Sequence, residues 1–302
     1  DAVRLGLWSA LQMLCSGYLL VMTAIALIAG AIARIGEWTG QQWRTRMPLL
    51  AGAALGAVLL VSPFLYQYYE VRQDQGLTRS VDEVQRYAGT WLNFVATGAR
   101  VHYETWNAPL YRDANSAAFP GAVPWGLALL AIGSGLAWRD ARARMWLAIG
   151  IAGAALSFGP SLPGYTFLYV TIPVLQGIRA VARFALLPLL AVGVVGAFGL
   201  AGWRAHLMAS RRVRAAHIVG ALVVVAVNVE NARVPMAFVP FEGIPAVYKA
   251  LADVPHAVVA ELPFPEPERV AVNATAVHAS VAHWKPLLNG YSGYTPRSYV
   301  EH

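Results

Sequence analysis

Two arginines, Arg179 and Arg183, stand four apart at the head of the stretch GIRAVARFALLPLLAVGVVGAFGL (177–200), which then runs without a charge to Trp203-Arg204. On a helix this spacing puts both on one face. A guanidinium is a planar fork of donors that matches phosphate oxygens. Two of them at headgroup depth could grip the phosphate of a polyprenyl carrier whose tail lies along the protein. The same pair also fits ordinary interfacial arginines snorkelling to bulk lipid phosphates.

Carboxylates and aromatics form the second group. Asn228 and Glu230 interrupt an apolar run, and an ionisable residue inside a membrane segment is a functional candidate. Glu230 also sits beside Asn231 and Arg233, which fits a helix already leaving the bilayer. In the polar stretch 70–120, Glu104 lies close to His102, Tyr103 and Trp106. A carboxylate among rings that stack on sugars suits a base or a substrate contact in glycosyl transfer. An ordinary surface role fits it too. Asp82 and Glu83 read as helix N-terminal charges instead. His278 and His283 are five apart, so they do not share a helix face, and with Glu261 they make no metal pattern. No metal and no cofactor are expected. Asn273-Ala-Thr275 fits a glycan acceptor by pattern alone. No phosphate-binding glycine loop, dinucleotide fingerprint or nucleophile elbow occurs.

The elements that must position these groups are apolar. The 302 residues are 57% hydrophobic and only 13% charged, with a mean hydropathy of +0.49. A soluble domain carries about 25% charged residues. The net charge of +7 would suggest nucleic acid in a soluble protein, but short arginine-rich loops account for it, so no nucleic-acid partner is expected. Lysine occurs only at Lys249 and Lys285, and Cys15 is the single cysteine, which leaves no disulfide framework. The chain begins with Asp1, shows no signal-peptide pattern and ends in SYVEH. It reads as a piece cut from a longer protein.

About six transmembrane helices are expected, since a span needs roughly 20 apolar residues. They cover Leu11–Ala33, Met47–Tyr66, Ala122–Trp138, Met145–Phe158, Phe184–Trp203 and Ile218 to about Pro235. The second contains Gly52-x-x-x-Gly56, a spacing that allows close helix approach. Its edge is marked by Pro63 and the belt of Tyr66, Tyr68 and Tyr69. Ser80-Val-Asp-Glu83 reads as a capping box that starts an amphipathic helix over Val81–Ala96. Tyr165–Gln176 is too short to span and reads as interfacial or re-entrant. The basic loops 34–46, 139–144 and 204–214 belong on the cytoplasmic side by the positive-inside rule. Both ends, the insert at 70–120 and the loop carrying Arg179 and Arg183 then fall outside. The arginine pair is the exception to the rule.

Residues 237–302 regain prolines and charges. A helix over Ile244–Ala252, a buried strand over His256–Phe264, a helix over Asn273–Trp284 and a turn-rich loop over Asn289–Pro296 predict the start of a small extracytoplasmic α/β domain. The bundle is expected to fill 1–236 and this domain 237–302.

Four segments carry a resemblance. LSFGPSLPGYTFLYVTIPVLQGIRAVARFALLPLLAVGVVGAFGL (156–200), GLTRSVDEVQRYAGTWLNFV (76–95), AAFPGAVPWGLALL (117–130) and HWKPLLNGYSGYTPRSY (283–299) resemble bacterial GT-C-type membrane glycosyltransferases and their uncharacterised relatives. The resemblance implies sugar transfer from a polyprenyl-phosphate donor to a cell-envelope acceptor at the bacterial inner membrane. Arg179 and Arg183 match the basic pair that precedes a late span in that group. The group's catalytic acid belongs to the first extracytoplasmic loop, and no matching motif precedes Leu11. The resemblance therefore implies that the catalytic part lies outside this stretch and names no catalytic residue here. The alternatives are a non-catalytic membrane scaffold and a lipid flippase or transporter. The latter predicts charges at mid-bilayer, which these spans nearly lack.

Overall fold

A computed structural model describes residues 1–37, 41–76, 79–112, 117–233, 238 and 240–291. Its contacts divide the chain into two units, Asp1–Tyr68 with Thr78–Pro235, and Tyr69–Leu77 with Met236–His302. No strand forms among the described residues; the regular structure is helical. Among the described residues three helices are long and apolar enough to cross a membrane, Trp43–Asp74, Val181–Ala209 and Val213–Glu230. That is three where the sequence predicts about six, and the shortfall has local causes.

The predicted span Leu11–Ala33 is two helices, α1 (Ala2–Cys15) and α2 (Gly17–Ala33). Between them Ser16 is extended, and its hydroxyl accepts the Tyr18 N–H at 3.2 Å as a cap for α2. At 17 residues α2 is about 26 Å long, short of a bilayer core. Next comes α3 (Gln41–Gln75), which contains the predicted Met47–Tyr66 and continues past it. Pro63 does not end it. The proline has no N–H for the Leu59 carbonyl, and the Ser62 hydroxyl donates to that carbonyl at 2.9 Å instead. Gly52 and Gly56 face open space, so their spacing serves no close contact among the described residues. The close approach is made by Gly6 of α1, where a Cβ would lie 2.6 Å from the Ala53 carbonyl oxygen. Trp38 lies outside the described residues.

The amphipathic helix predicted over Val81–Ala96 stops early, as α4 (Val81–Arg86) and a 3-10 turn at Trp91–Phe94. Ser80 caps α4 by accepting the Glu83 N–H at 3.1 Å, but the Glu83 carboxylate pairs with Arg79 at 2.8 Å. Only half of the capping box forms. The helix breaks where the Gly89 N–H donates to the Ser157 carbonyl at 2.7 Å, a bond across the fold that replaces a helical one. Two short turns follow, α5 (Arg100–His102) and a π turn at Tyr103–Asn107.

The packed centre of the first unit is α6 (Ala122–Gly133), α7 (Leu136–Arg139), α8 (Ala141–Ser157), α9 (Tyr165–Thr171), α10 (Leu186–Ala209) and α11 (Val213–Glu230). Gly135, at φ +78°, turns the chain between α6 and α7 and splits the predicted span Ala122–Trp138. The predicted Met145–Phe158 lies within α8, which is 17 residues long. Val21, Ile149, Tyr165, Val181 and Phe184 belong to one buried apolar cluster. Two close crossings define the rest. A Cβ on Gly153 would meet Leu187 Cβ at 2.4 Å, and one on Gly199 would meet the Leu127 carbonyl oxygen at 2.1 Å. Gly199→Ala is therefore expected to destabilise the unit by about 1–3 kcal/mol. Gly193→Ala, with open space around it, should be neutral or stabilising by up to about 1 kcal/mol. Thermal melting of the two variants measures both effects.

Asp140 caps α8, accepting the Arg142 N–H at 2.8 Å, and pairs with the Arg142 guanidinium at 3.0 Å. The Arg142 side chain and N–H hold the Asp140 carboxyl down at about 2. A depressed carboxyl contributes stability above its unfolded value near 4, and that contribution is lost as the pH falls from about 4 to about 2. The melting temperature should drop through this window, and Asp140→Asn should flatten that part of the profile.

In the second unit, the predicted helix Ile244–Ala252 is α12 (Ala246–Ala250) with a 3-10 turn at Leu251–Asp253. The helix predicted over Asn273–Trp284 is α13 (Asn273–Ala279) with a 3-10 turn at Ser280–Ala282. The predicted strand His256–Phe264 contributes a single parallel bridge, Val259 with Leu287. The α/β domain does not form among the described residues. Val259 finds one partner segment, its N–H donating to the Pro286 carbonyl and its carbonyl accepting the Leu288 N–H, each at 2.9 Å. Residues 292–296 of the predicted turn-rich loop lie outside the described residues.

Candidate functional site

The arginine pair does not ride on one helical face. Residues 178–180 form no helix, Ile178 being extended, Val181–Ala185 is a 3-10 turn, and α10 begins only at Leu186. The reason is Tyr18 at the start of α2. Its hydroxyl accepts the N–H of Arg179 at 3.2 Å and of Ala180 at 2.9 Å, which pins the segment open. The Ala182 N–H donates to the Tyr87 carbonyl at 3.1 Å.

The same two tyrosines carry the guanidinium groups. Arg179 lies over the Tyr87 ring at 4.7 Å, and Arg183 over the Tyr18 ring at 4.8 Å. Such cation–π contacts contribute about 0.5–2 kcal/mol each and hold each guanidinium plane against a ring. Arg179 is half-buried and Arg183 exposed. Phe184 and Val181 beside them are fully buried, so the backbone under the pair is anchored. Tyr18 is a partner that sequence spacing does not show, being 161 residues from Arg179.

The second group separates into two. His102, Trp106 and Glu230 come together; Glu104 does not join them. The indole N–H of Trp106 donates to His102 Nδ1 at 3.2 Å. An indole only donates, so His102 carries its proton on Nε2 and donates it to Glu230 Oε1 at 2.8 Å. Glu230 also accepts the Ala122 N–H on Oε1 and the Val123 N–H on Oε2, the latter at 3.0 Å. The carboxylate thus caps the N-terminus of α6 from the last residue of α11, where a negative charge is favoured by the helix dipole. His102 and Glu230 are buried, and Phe119 packs edge-on to the rings of both His102 and Trp106. Glu104 faces outward and pairs with Arg100 at 2.7 Å, both side chains being more than half exposed. Asn228 turns back on its own helix, donating to the Val224 carbonyl at 2.8 Å.

In the second unit His278 stacks edge-on to Phe241 and His283 lies parallel to Tyr248. Tyr248 donates to Glu261 at 2.8 Å, and that carboxylate pushes the phenol above its ordinary range. Asn273 is buried and donates to the Gly290 carbonyl at 3.1 Å, a position closed to a glycan. Among the described residues no three acidic, histidine or cysteine side chains gather as metal ligands do.

The chain matches no family description, no curated protein and no solved structure. The functional reading therefore rests on the site itself.

The two clusters differ in what they can do. Both oxygens of Glu230 and both nitrogens of His102 are engaged inside the protein. Arg183 presents an exposed guanidinium, with the half-buried Arg179 beside it in the chain, at the head of a helix apolar enough to cross a membrane.

Proposed function

We propose that the chain is the membrane part of a GT-C-type glycosyltransferase that moves a sugar from a polyprenyl-phosphate carrier to a cell-envelope acceptor, on the outer face of the bacterial inner membrane. The single observation that carries this reading is the tyrosine-backed pair Arg179 and Arg183 before α10. Charge builds on the departing phosphate in the transition state, and preorganised donors aimed at it lower the barrier. The apolar length of α10 supplies a surface for the carrier's tail.

The finer topology is part of the proposal. The bundle crosses the membrane with the shorter helices α2, α6 and α8 completing it beside the three long ones. The basic loops face the cytoplasm; both ends of the chain, the 70–120 insert and the arginine pair face outward. The 237–302 region begins an outer domain. In this reading Glu104, with the half-exposed rings of Tyr103 and Trp106 nearby in sequence, borders the sugar, while His102 and Glu230 hold that surface in place. The catalytic carboxylate belongs to a part of the protein beyond this chain.

A second reading, a non-catalytic membrane scaffold, is favoured by one observation. Glu230, the carboxylate at the outer end of α11, has its oxygens occupied by three donors. The chain in nanodiscs, offered polyprenyl phosphate and neutral polyprenol, separates the two. Selective binding of the phosphate supports the donor-handling reading. Equal, weak binding of both rejects it and leaves the scaffold.

A further inference from the structure

We infer that a cleft between α6, α7 and α10, lined by basic side chains, holds the phosphate headgroup of an acidic membrane lipid. This inference uses α6, α7 and α10 and does not depend on glycosyl transfer. The cleft has a volume of about 480 Å³, within the range of small-ligand sites.

Its shape follows from two glycines on α10. A Cβ on Gly199 would collide with the Leu127 carbonyl, and one on Gly202 would sit 3.1 Å from Leu136 Cδ2. Their absence lets α6 and α7 close on α10 and leaves a hollow where larger side chains would stand. Leu130 and Leu136 make an apolar wall suited to the first methylenes of an acyl chain. Arg139, His206 and Trp203 line the same hollow. Trp203 is 41% exposed, the position of a ring at a membrane–water interface.

The charge pattern identifies the ligand's chemistry. Neighbouring arginines already have partners. Arg142 is bound to Asp140, Arg144 donates to the Trp138 carbonyl at 2.9 Å, and Arg204 donates to the Ala216 carbonyl at 3.2 Å. The Arg139 guanidinium lies over Gly135, its Nε 3.7 Å from where a Cβ there would be. Neither the Arg139 nor the His206 side chain bonds to any described residue. The nearest acid, Asp140, is taken up by Arg142. Uncommitted donors above an apolar wall suit an anion attached to a hydrocarbon, and basic hollows between membrane helices recruit acidic headgroups. The site is distinct from Arg179 and Arg183, which precede the first turn of the helix whose other end carries His206.

The test places the chain in phosphatidylcholine nanodiscs doped with acyl-brominated phosphatidylglycerol or acyl-brominated phosphatidylcholine. The bromine quenches nearby tryptophan, and subtracting the Trp203→Phe variant isolates the Trp203 signal. Half-quenching should need about tenfold less of the acidic lipid than of the neutral one. The double variant Arg139→Gln/His206→Gln should bring the two curves together. Both side chains are exposed and unbonded, and circular dichroism checks that the helices remain. Arg212→Gln/Arg214→Gln, on the basic edge outside the cleft, should keep the preference. Equal quenching by both lipids in the unaltered chain overturns the inference. So does a preference that survives the cleft variant or disappears in the edge variant, which would assign it to general surface charge. Displacement of the lipid by millimolar glycerol phosphate would also overturn it, by showing a site for soluble phosphate.

Discussion

Replacing Arg179 and Arg183 together with alanine is expected to weaken binding of polyprenyl phosphate about a hundredfold and to leave binding of neutral polyprenol unchanged. A hydrogen bond to a charged group contributes about 1.5–3 kcal/mol, so losing two costs at least about 3 kcal/mol, near two decades in the dissociation constant. Equilibrium titration in nanodiscs measures it. Lysine at both positions should recover part of the loss, because it keeps the charge but not the fork or the stacking on Tyr18 and Tyr87. Tyr18→Phe probes the same site from below. It removes the acceptor that holds the Arg179 and Ala180 N–H groups, so selectivity should fall even though both arginines remain. An alanine pair that still distinguishes phosphate from alcohol would return these residues to ordinary interface anchors.

The largest expected stability effect is at Glu230. Glu230→Ala leaves His102 Nε2–H and the N–H groups of Ala122 and Val123 without their acceptor. Each buried donor left unsatisfied costs about 1–3 kcal/mol, so the three together amount to at least about 3 kcal/mol. Denaturant unfolding of the solubilised chain should show that loss, with His102→Ala smaller because the two N–H bonds to Glu230 survive. The effects of the two substitutions should also be less than additive, since they remove a shared bond. A Glu230→Ala chain of undiminished stability would contradict the structural role of this carboxylate and reopen a chemical one.

The apolar sequence made the long helices legible. Phe184–Trp203 is an unbroken run, and α10 with its preceding 3-10 turn covers it. Polar residues inside apolar stretches were harder to weigh. Ser16 alone splits the first predicted span by capping α2, whereas Asn228 leaves α11 intact by bonding within it. Pro63 looks like a stop in the sequence, yet the Ser62 hydroxyl takes over its missing donor. The strand predicted over His256–Phe264 follows from its β-branched residues, but a strand is defined by a neighbour, and among the described residues only Leu287 provides one.

The site shows the same division. Arg179, Arg183, His102, Trp106 and Glu230 are recognisable by residue type. Their partners are not, because the pairs that fix them are remote in the chain: Tyr18 with Arg179 and Arg183, and His102 with Glu230. The assumption that 177–183 is helical failed for this reason. A hydroxyl on a distant helix captured two N–H groups that a helix would have used. Glu104 shows the converse. Its nearness to His102 in sequence implies a shared site, yet it points away and pairs with Arg100 across one turn.

The most direct test of the central claim is photocrosslinking with a polyprenyl phosphate that carries a diazirine on its first isoprene unit, followed by peptide mapping of the nanodisc-embedded chain. The tyrosine-backed pair predicts adducts in the peptides around residues 177–187 and around Tyr18 and Tyr87, suppressed by excess polyprenyl phosphate but not by polyprenol. Adducts confined to the basic loops at 139–144 and 204–214, or spread evenly along the lipid-facing helices, would contradict it.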